Sequence, residues 1–265
     1  MLPPKVSIIM SVYNCSKTIQ ECIDSIIAQS YTDWEFIICD DASTDNTYEI
    51  VKEYSENYID KFIILRNEQN KRLAYSLNRC LEVARGEYIA RMDGDDISLP
   101  NRLEEQVKFL DTHKEFSVVG TAMTPFDEVN EYSKRVLPEI PHPKIMLRST
   151  PFAHATIMMR KSAYDAVNGY TVSKRTARAQ DYDMWFRFFA NGLKGYNIQE
   201  SYYMVREDNS AYKRRTLKVR LYNVLTMLKG FRLLNFPIYT YIFALKPILS
   251  WLTPNFIMKS IHHKR

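Results

Sequence analysis

Arg91-Met92-Asp93-Gly94-Asp95-Asp96 follows directly on the apolar run Tyr88-Ile89-Ala90. Three carboxylates therefore crowd the point where a buried strand should end. Like charges this close repel, and each raises the cost of ionising the next. A hard divalent cation such as Mg²⁺ or Mn²⁺ is the usual answer, because oxygen ligands suit it. Such a cation typically brings phosphates with it, so the stretch points to a metal–diphosphate site at the edge of an α/β sheet. Two other readings compete. Asp93, Asp95 and Glu104 match the first, third and twelfth positions of an EF-hand loop, but Ile97 and Ser98 stand where that loop needs an oxygen ligand and a glycine. A solvated turn that merely caps the helix after Ser98 is the bland alternative.

Working outward, strand and helix alternate from residue 5 to about 122. Val6 to Val12 reads as a first buried strand, and Ile19, Cys22, Ile23, Ile26 and Ile27 then recur at helical spacing. Trp34 to Cys39 is a second strand ending in Asp40-Asp41. Ser43-Thr44-Asp45 offers N-caps for a helix through Ile50, Val51 and Tyr54. Phe62 to Leu65 is a third strand, and a helix from about Leu73 to Ala84 stops at Gly86. After the fourth strand, Tyr88 to Met92, Ser98-Leu99-Pro100 opens a helix carrying Leu103, Val107, Phe109 and Leu110. Ser117 to Gly120 is a fifth strand. This order predicts a mostly parallel sheet with helices on both faces. Ligands bind such sheets at the carboxyl ends of the strands. Tyr13-Asn14, Asp40-Asp41 and Asp93 to Asp96 all lie there.

Beyond residue 122 the pattern loosens. Pro125, Pro138, Pro141, Pro143 and Pro151 mark a loop-rich stretch; Ala155 to Met159 reads as a strand; Gln180 to Asn191 reads as a helix with Met184, Trp185, Phe188 and Phe189 inward. Residues 213–230 suggest a basic amphipathic helix with Leu217, Leu221, Val224, Leu225 and Leu228 on its apolar side. The four cysteines show no metal-ligand spacing and read as reduced core residues of a cytosolic protein.

Val6 to Asn14, then Cys39-Asp40-Asp41-Ala42-Ser43-Thr44-Asp45, then Ala90 to Asp96 resemble the successive signatures of family 2 glycosyltransferases. Pro100, Arg102, Leu103 and Gln106 fit the stretch that usually follows, as does His154 to Arg160. The resemblance covers about residues 4 to 210. It implies a GT-A fold (a nucleotide-diphospho-sugar transferase sheet flanked by helices) and an inverting, metal-dependent transfer from a UDP-sugar. It divides the chain into a catalytic domain over 1–210, with a nucleotide-binding half (1–122) and an acceptor-binding half (123–210), and a helical C-terminal extension over 211–265. Carried over by position, Tyr13 flanks the nucleotide base and Asp40 hydrogen-bonds the uracil. Asp93 and Asp95 hold the ribose and the metal-bridged diphosphate with Mn²⁺ or Mg²⁺, Asp95 being the favoured direct ligand, and Asp96 orients its neighbours. Arg72 reaches the base or phosphate, or is a solvated partner of Lys71. Within Gln180-Asp181-Tyr182-Asp183, Asp181 matches the general base; Gln180 departs from the acidic residue usual before it, and Asp183 is the rival. His154 and Trp185 are acceptor contacts or packing residues. The late loop Val205 to Ser210 lacks the histidine of many relatives, and Arg206 is the substitute diphosphate contact.

Net charge is +5, yet from Asn209 to Arg265 there are eleven Lys or Arg and no acidic residue, leaving 25 basic against 31 acidic groups before it. A basic tail suits an anionic surface. The uncharged run Leu233 to Leu245 is too short to cross a bilayer, which takes about 20 residues. With its aromatics, prolines and flanking cations it suits the membrane interface, packing on the catalytic domain, or a dimer contact. No nucleic-acid module accompanies it, so no nucleic acid is expected as partner. The reading is thus a cytoplasmic enzyme peripheral on the inner membrane face, acting on a polyprenyl-diphosphate-linked glycan acceptor. The rivals are a nucleotidyltransferase on a similar sheet, for which Ser11 to Cys15 lacks a glycine-rich phosphate loop, and a non-catalytic membrane scaffold.

Overall fold

The computed structural model describes residues 3–207 and 216–252. Eight strands form one sheet in the order β3-β2-β1-β4-β7-β6-β8-β5. β1 (Val6–Val12), β2 (Trp34–Asp40), β3 (Phe62–Arg66) and β4 (Tyr88–Arg91) are parallel, with Val12 opposite Asp40 and Ile8 opposite Ala90. The expected alternation of strands with α1 (Ile19–Ile27), α2 (Thr47–Asn57) and α3 (Leu73–Val83) is present. Burial explains it. Along β1, Ile9 points to one face and Ile8 and Met10 to the other, and every one is inaccessible to solvent. Strands apolar on both sides need helices over both faces. α1, α2 and α4 (Arg102–Thr112) supply Ile23, Val51 and Leu103 to one; α3 and α6 (Gln180–Ala190) supply Leu77 and Trp185 to the other.

The second half of the sheet departs from the sequence reading. The fifth expected strand is β6 (Val118–Phe126), and it does not pair with β4. β7 (Met158–Arg160) lies between them, antiparallel to both. The residues expected to open that strand, Ala155 and Thr156, lie instead in a 3-10 turn (His154–Thr156). A twelve-residue strand, β8 (Gly195–Arg206), was not expected; it runs parallel to β6 and pairs antiparallel with the two-residue β5 (Ile97–Ser98). α5 (Lys161–Ala166) follows β7.

The C-terminal extension packs on the body. α7 (Leu217–Leu233) lays Gly230 against the ring of Phe186 on α6, and Met227 and Phe231 join the same core as Ile9 and Trp185. The expected apolar side of this helix holds only in part: Val224 and Leu228 pack on the core, but Leu217, Leu221 and Leu225 face outward, while Thr226, Met227, Gly230 and Phe231 are buried. A 3-10 segment (Ile238–Leu245) and α8 (Lys246–Leu252) complete it. Residues 208–215 and 253–265, which include the end of the late loop, the first residues of the expected basic helix and the last basic residues of the tail, lie outside the described residues.

Candidate active site

Parallel β1, β2 and β4 end together, which brings Tyr13, Asp41 and Asp93 to one edge. A cleft of about 890 Å³ opens beside them. Ser11, Tyr13, Asp41 and Arg72 form its sheet side; Arg178, Gln180 and Asp181 of the α6 approach and Lys218, Tyr222 and Asn223 of α7 form the other. Three non-glycine residues around it hold left-handed backbone: Asn14 (φ 54°), Ala42 (φ 62°) and Arg72 (φ 73°). Such conformations persist where surrounding structure over-determines them, and they cluster at binding sites. Asp41 supplies the constraint at Arg72, accepting from the Lys71 and Arg72 backbone N–H groups at 2.8 and 2.7 Å.

The acidic loop is less bare of counter-charge than its sequence implies. Arg91, buried beneath it, lies 2.7 Å from Asp93. The backbone N–H of Asp93 is donated to Tyr203 Oη, and Asp96 Oδ1 accepts from the Arg206 backbone, so β8 braces the loop from one side. Arg102, also buried, donates to the Arg91 carbonyl at 2.7 Å from below. Repulsion remains. Burial, then the charges of Asp93 and Asp95, push the Asp96 carboxyl up to about 8. Surrounding protein and Asp93 also raise Asp95, which is exposed at the loop tip.

Asp181 lies in the first turn of α6 and lines the cleft. The dense protein around it raises its carboxyl, backbone N–H groups of the helix start oppose this, and the charges of Arg91 and Asp93 reach it with opposite signs. Asp181 and the acidic loop thus share one electrostatic environment. Asp183 is different. Burial raises its carboxyl, but Thr171 and the guanidinium groups of Arg175 and Arg187 hold it below the usual range. With ion pairs at 2.7 and 3.1 Å it is a structural anion.

Of the residues singled out in the sequence, Tyr13, Arg72 and Asp181 line the cleft. Asp40 does not. It is wholly buried, its two oxygens accept from the Ser43 N–H at 3.3 and 3.2 Å, and Arg66 lies 3.2 Å away. Its neighbour Asp41, also buried, borders the cleft. Arg206 is engaged by the acidic loop, donating to the Asp95 carbonyl at 2.9 Å and pairing with Glu21. Trp185 is wholly buried against Phe152, His154 and Phe188, so it offers no platform to an acceptor. His154 bonds the Tyr170 hydroxyl at 2.9 Å; burial and the Arg91 charge push its pKa well below the usual imidazole range, leaving it a neutral supporting group. Sequence reasoning missed Asp41, Arg91 and the cleft-lining Lys174, Arg178 and Lys218. The arginine directly before the acidic loop was the one available signal.

Among the described residues no group of three or more metal-ligating side chains gathers. A cation held by one or two carboxylates and by substrate phosphates needs no such group. Asp95, exposed, and Asp93, half-exposed, present hard oxygen donors whose mutual repulsion a cation relieves. The donor set fits Mg²⁺ or Mn²⁺.

A mixed sheet with four parallel strands, an acidic loop at one strand end, a cleft beside it and a raised aspartate on the far wall of that cleft defines a nucleotide-diphospho-sugar transferase of the GT-A fold. Residues 7–167 match the model of glycosyl transferase family 2, and the chain belongs to that family. It is 50% identical to the protein named EpsE in Bacillus subtilis (strain 168), over 99% of this chain and 94% of that one. It is 30% identical to WfaP of Escherichia coli, named as a UDP-Glc:alpha-D-GlcNAc-diphosphoundecaprenol beta-1,3-glucosyltransferase, over 83% and 85% of the two chains. Solved structures share the fold. S. aureus TarS 1-349 in complex with UDP-GlcNAc superposes with a TM-score of 0.69 at 18% identity, covering 94% of this chain and 82% of that one. The mannosyltransferase PcManGT of Pyrobaculum calidifontis, in complex with GDP-Man and Mn2+, gives 0.66 at 19%, covering 95% and 75%. The nucleotidyltransferase alternative falls with the family assignment.

Proposed function

We propose that this glycosyltransferase inverts the anomeric centre, depends on a divalent cation, and moves a sugar from a UDP-sugar to a hydroxyl of a polyprenyl-diphosphate-linked surface-glycan intermediate. The observation that carries the reading is the placement of Asp181 on the α6 side of the cleft, with the acidic loop at the strand ends. Inversion needs a base on the attacking side and charge stabilisation on the leaving side. Asp181 takes the acceptor hydroxyl proton as that oxygen bonds the anomeric carbon; the bond from that carbon to the diphosphate breaks, and UDP departs with the electron pair. Asp93 and Asp95 would hold the cation, which when bound neutralises charge on the diphosphate. Tyr13 flanks the base. Asp41, rather than the enclosed Asp40, faces it: each of its oxygens accepts backbone or side-chain donors, yet a carboxylate has about four lone-pair sites and Oδ2 keeps one. Arg72 stands beside both.

UDP as the nucleotide is supported by the name of WfaP and by the ligand of TarS. A lipid-linked acceptor is supported by the name of WfaP and by the exposed apolar residues of the C-terminal segment, which suit a place at the inner membrane surface. A non-catalytic scaffold has no use for a raised Asp181 within electrostatic reach of an intact acidic loop. The test is UDP-sugar hydrolysis by the purified full chain with Mn²⁺. Turnover that disappears in Asp93→Ala supports the reading; absence of any nucleotide binding with either cation refutes it.

A further inference from the structure

The cleft continues past Asp181. A second cavity of about 380 Å³ opens on the other side of that residue, between α6, α7 and α8, and Asp181, Arg178 and Asn223 line both spaces. Its wall is basic. Arg148, Arg178, Arg220 and Lys246 face a single carboxylate, that of Asp181. Two of the cations are fixed: the Arg148 guanidinium lies 5.1 Å from the Phe243 ring centre, and Lys246 Nζ donates to the Arg148 carbonyl. Between the cations and the cleft, the buried Asn223 Oδ1 has no hydrogen-bond partner among the described residues. An unsatisfied buried acceptor calls for a donor, and a ligand hydroxyl supplies one. Leu249 and Trp251 of α8, and Leu245 just before it, are exposed and apolar.

We infer that this cavity is the acceptor's diphosphate subsite, in which a polyprenyl diphosphate places its two phosphates among Arg148, Arg178, Arg220 and Lys246. The inference rests on the proposed transfer to a lipid-linked acceptor. Guanidinium groups match phosphate oxygens with paired N–H donors, and several cations together suit a group carrying more than one negative charge. The order of chemistry along the cavity matches the order of groups in such a molecule. The attacking hydroxyl meets Asp181, the sugar passes Asn223, the diphosphate meets the basic wall, and the isoprenoid chain leaves over the apolar residues of α8. The donor's own diphosphate does not compete for this place. It is the leaving group and belongs with the acidic loop, on the face of the anomeric carbon away from the base. An anion site on the base's own side belongs to the attacking molecule.

Thermal shift of the full chain tests this, using farnesyl diphosphate as probe with and without saturating UDP and Mn²⁺. A ligand of the native state raises the midpoint by mass action. Farnesyl diphosphate is expected to raise it further in the presence of UDP, with farnesol and pyrophosphate each giving much smaller shifts. The Arg148→Gln/Lys246→Gln variant should lose the farnesyl diphosphate shift while keeping the UDP shift, which also reports that it has folded. With a polyprenyl-diphosphate sugar acceptor, the same variant should raise the acceptor KM about tenfold or more, the scale of losing a charge-assisted hydrogen bond. Displacement of farnesyl diphosphate by UDP, or an unchanged farnesyl diphosphate shift in the variant, overturns the subsite. So does a variant that loses only its binding to phosphatidylglycerol vesicles. A UDP shift without a farnesyl diphosphate shift refutes the subsite alone; a farnesyl diphosphate shift without a UDP shift leaves the subsite standing and refutes the donor reading.

Discussion

The guanidinium of Arg91, 2% exposed, lies 2.7 Å from a carboxylate oxygen of Asp93, just past the end of β4. The pair is ionic rather than a directed hydrogen bond, since Arg91 Nη1 finds no aligned acceptor among the described residues. Even with Arg91 and Arg102 beneath the loop and Arg206 beside it, the carboxyls of Asp95 and Asp96 stay raised, so the loop is short of positive charge. On the proposed reading a divalent ion and its diphosphate would complete that deficit, and without them the loop would be a source of instability. Functional sites commonly hold such uncompensated charge at a cost to the fold.

The first prediction follows from that deficit. The folded-state carboxyl of Asp96 is raised to about 8, so the unfolded chain releases this proton at lower pH than the native one. The native state is therefore penalised as pH rises from about 4, the ordinary carboxylate value, and the penalty is complete above about 8. Asp96→Asn keeps the Oδ1 that accepts from Arg206 and removes the charge. In EDTA it should melt above wild type by a margin that grows over that pH range and then levels. Added Mn²⁺ should narrow the margin by stabilising wild type more. Melts at several pH values with a margin independent of pH would sink the account.

Asp181 carries the second. Its carboxyl is raised by burial, and a base acts deprotonated, so turnover should fall as pH drops through a pKa above the ordinary carboxylate range. The acid limb of kcat/KM should accordingly lie above pH ~4. Asp181→Asn should lower kcat by about 10²–10⁴-fold, the usual contribution of a positioned base, while UDP binding by calorimetry stays near wild type. Equal losses of donor binding and kcat would instead place Asp181 on the donor.

Arg72 holds φ 73° and ψ 163°, backbone that glycine alone adopts without strain. Arg72→Gly should relieve about 1–3 kcal/mol, raising the melting temperature by at least about 2 °C. It should weaken UDP-sugar binding at the same time, because the side chain lines the cleft. A lower melting temperature with unchanged binding would mean that the side chain serves the fold instead.

Gly230 tests the coupling of the C-terminal helix to the catalytic one. A Cβ there would lie 2.2 Å from the Phe186 ring, and Phe186 shares α6 with Asp181. Gly230→Val should cost about 1–3 kcal/mol by overpacking and reduce turnover. Phe186→Leu in the same chain should recover part of both, a coupling that a double-mutant cycle measures. Additive losses would refute the contact as the cause.

Legibility in the sequence tracked burial. β1, β2 and β4 were readable because each is largely apolar and buried between two layers of helices, and β3 because of its run Phe62 to Leu65. β8 was not, because it is half-exposed, contains Gln199 and Glu200, and slips register against β6, which erases any alternation. The direction of β7 rests on pairing with Tyr88–Ala90 and Val118–Val119, remote partners that three residues do not announce. At the site, Asp93, Asp95 and Asp181 stood out as charges where strands and helices meet. The choice between Asp40 and Asp41 did not, because the turn at Ala42 and the bonds from Lys71 and Arg72 decide which carboxylate faces the cleft. Apolar periodicity found Val224 and Leu228 on the inner side of α7 but missed the rest of it, since its closest contact is made by a glycine.

That partly misassigned side bears on where the enzyme works. Among the described residues no helix is long and apolar enough to cross a membrane. Yet Ile238, Tyr239 and Ile242 are 79, 76 and 68% exposed, and Leu217, Leu221 and Leu225 also face outward. Burying an aliphatic side chain contributes roughly 1.5–3 kcal/mol, and a nearby cation adds about 1 kcal/mol at an anionic leaflet. Large apolar residues exposed beside basic ones fit an interfacial seat, so the full chain should bind phosphatidylglycerol vesicles, less tightly at high salt because screening removes the ionic part. Ile238→Ser/Tyr239→Ser/Ile242→Ser should weaken that binding on the order of a hundredfold with no loss of melting temperature, since these side chains contribute little to the core. Vesicle flotation decides it. Binding that salt abolishes entirely and the triple variant leaves intact would reduce the contact to charge alone, and the apolar face would then need another occupant.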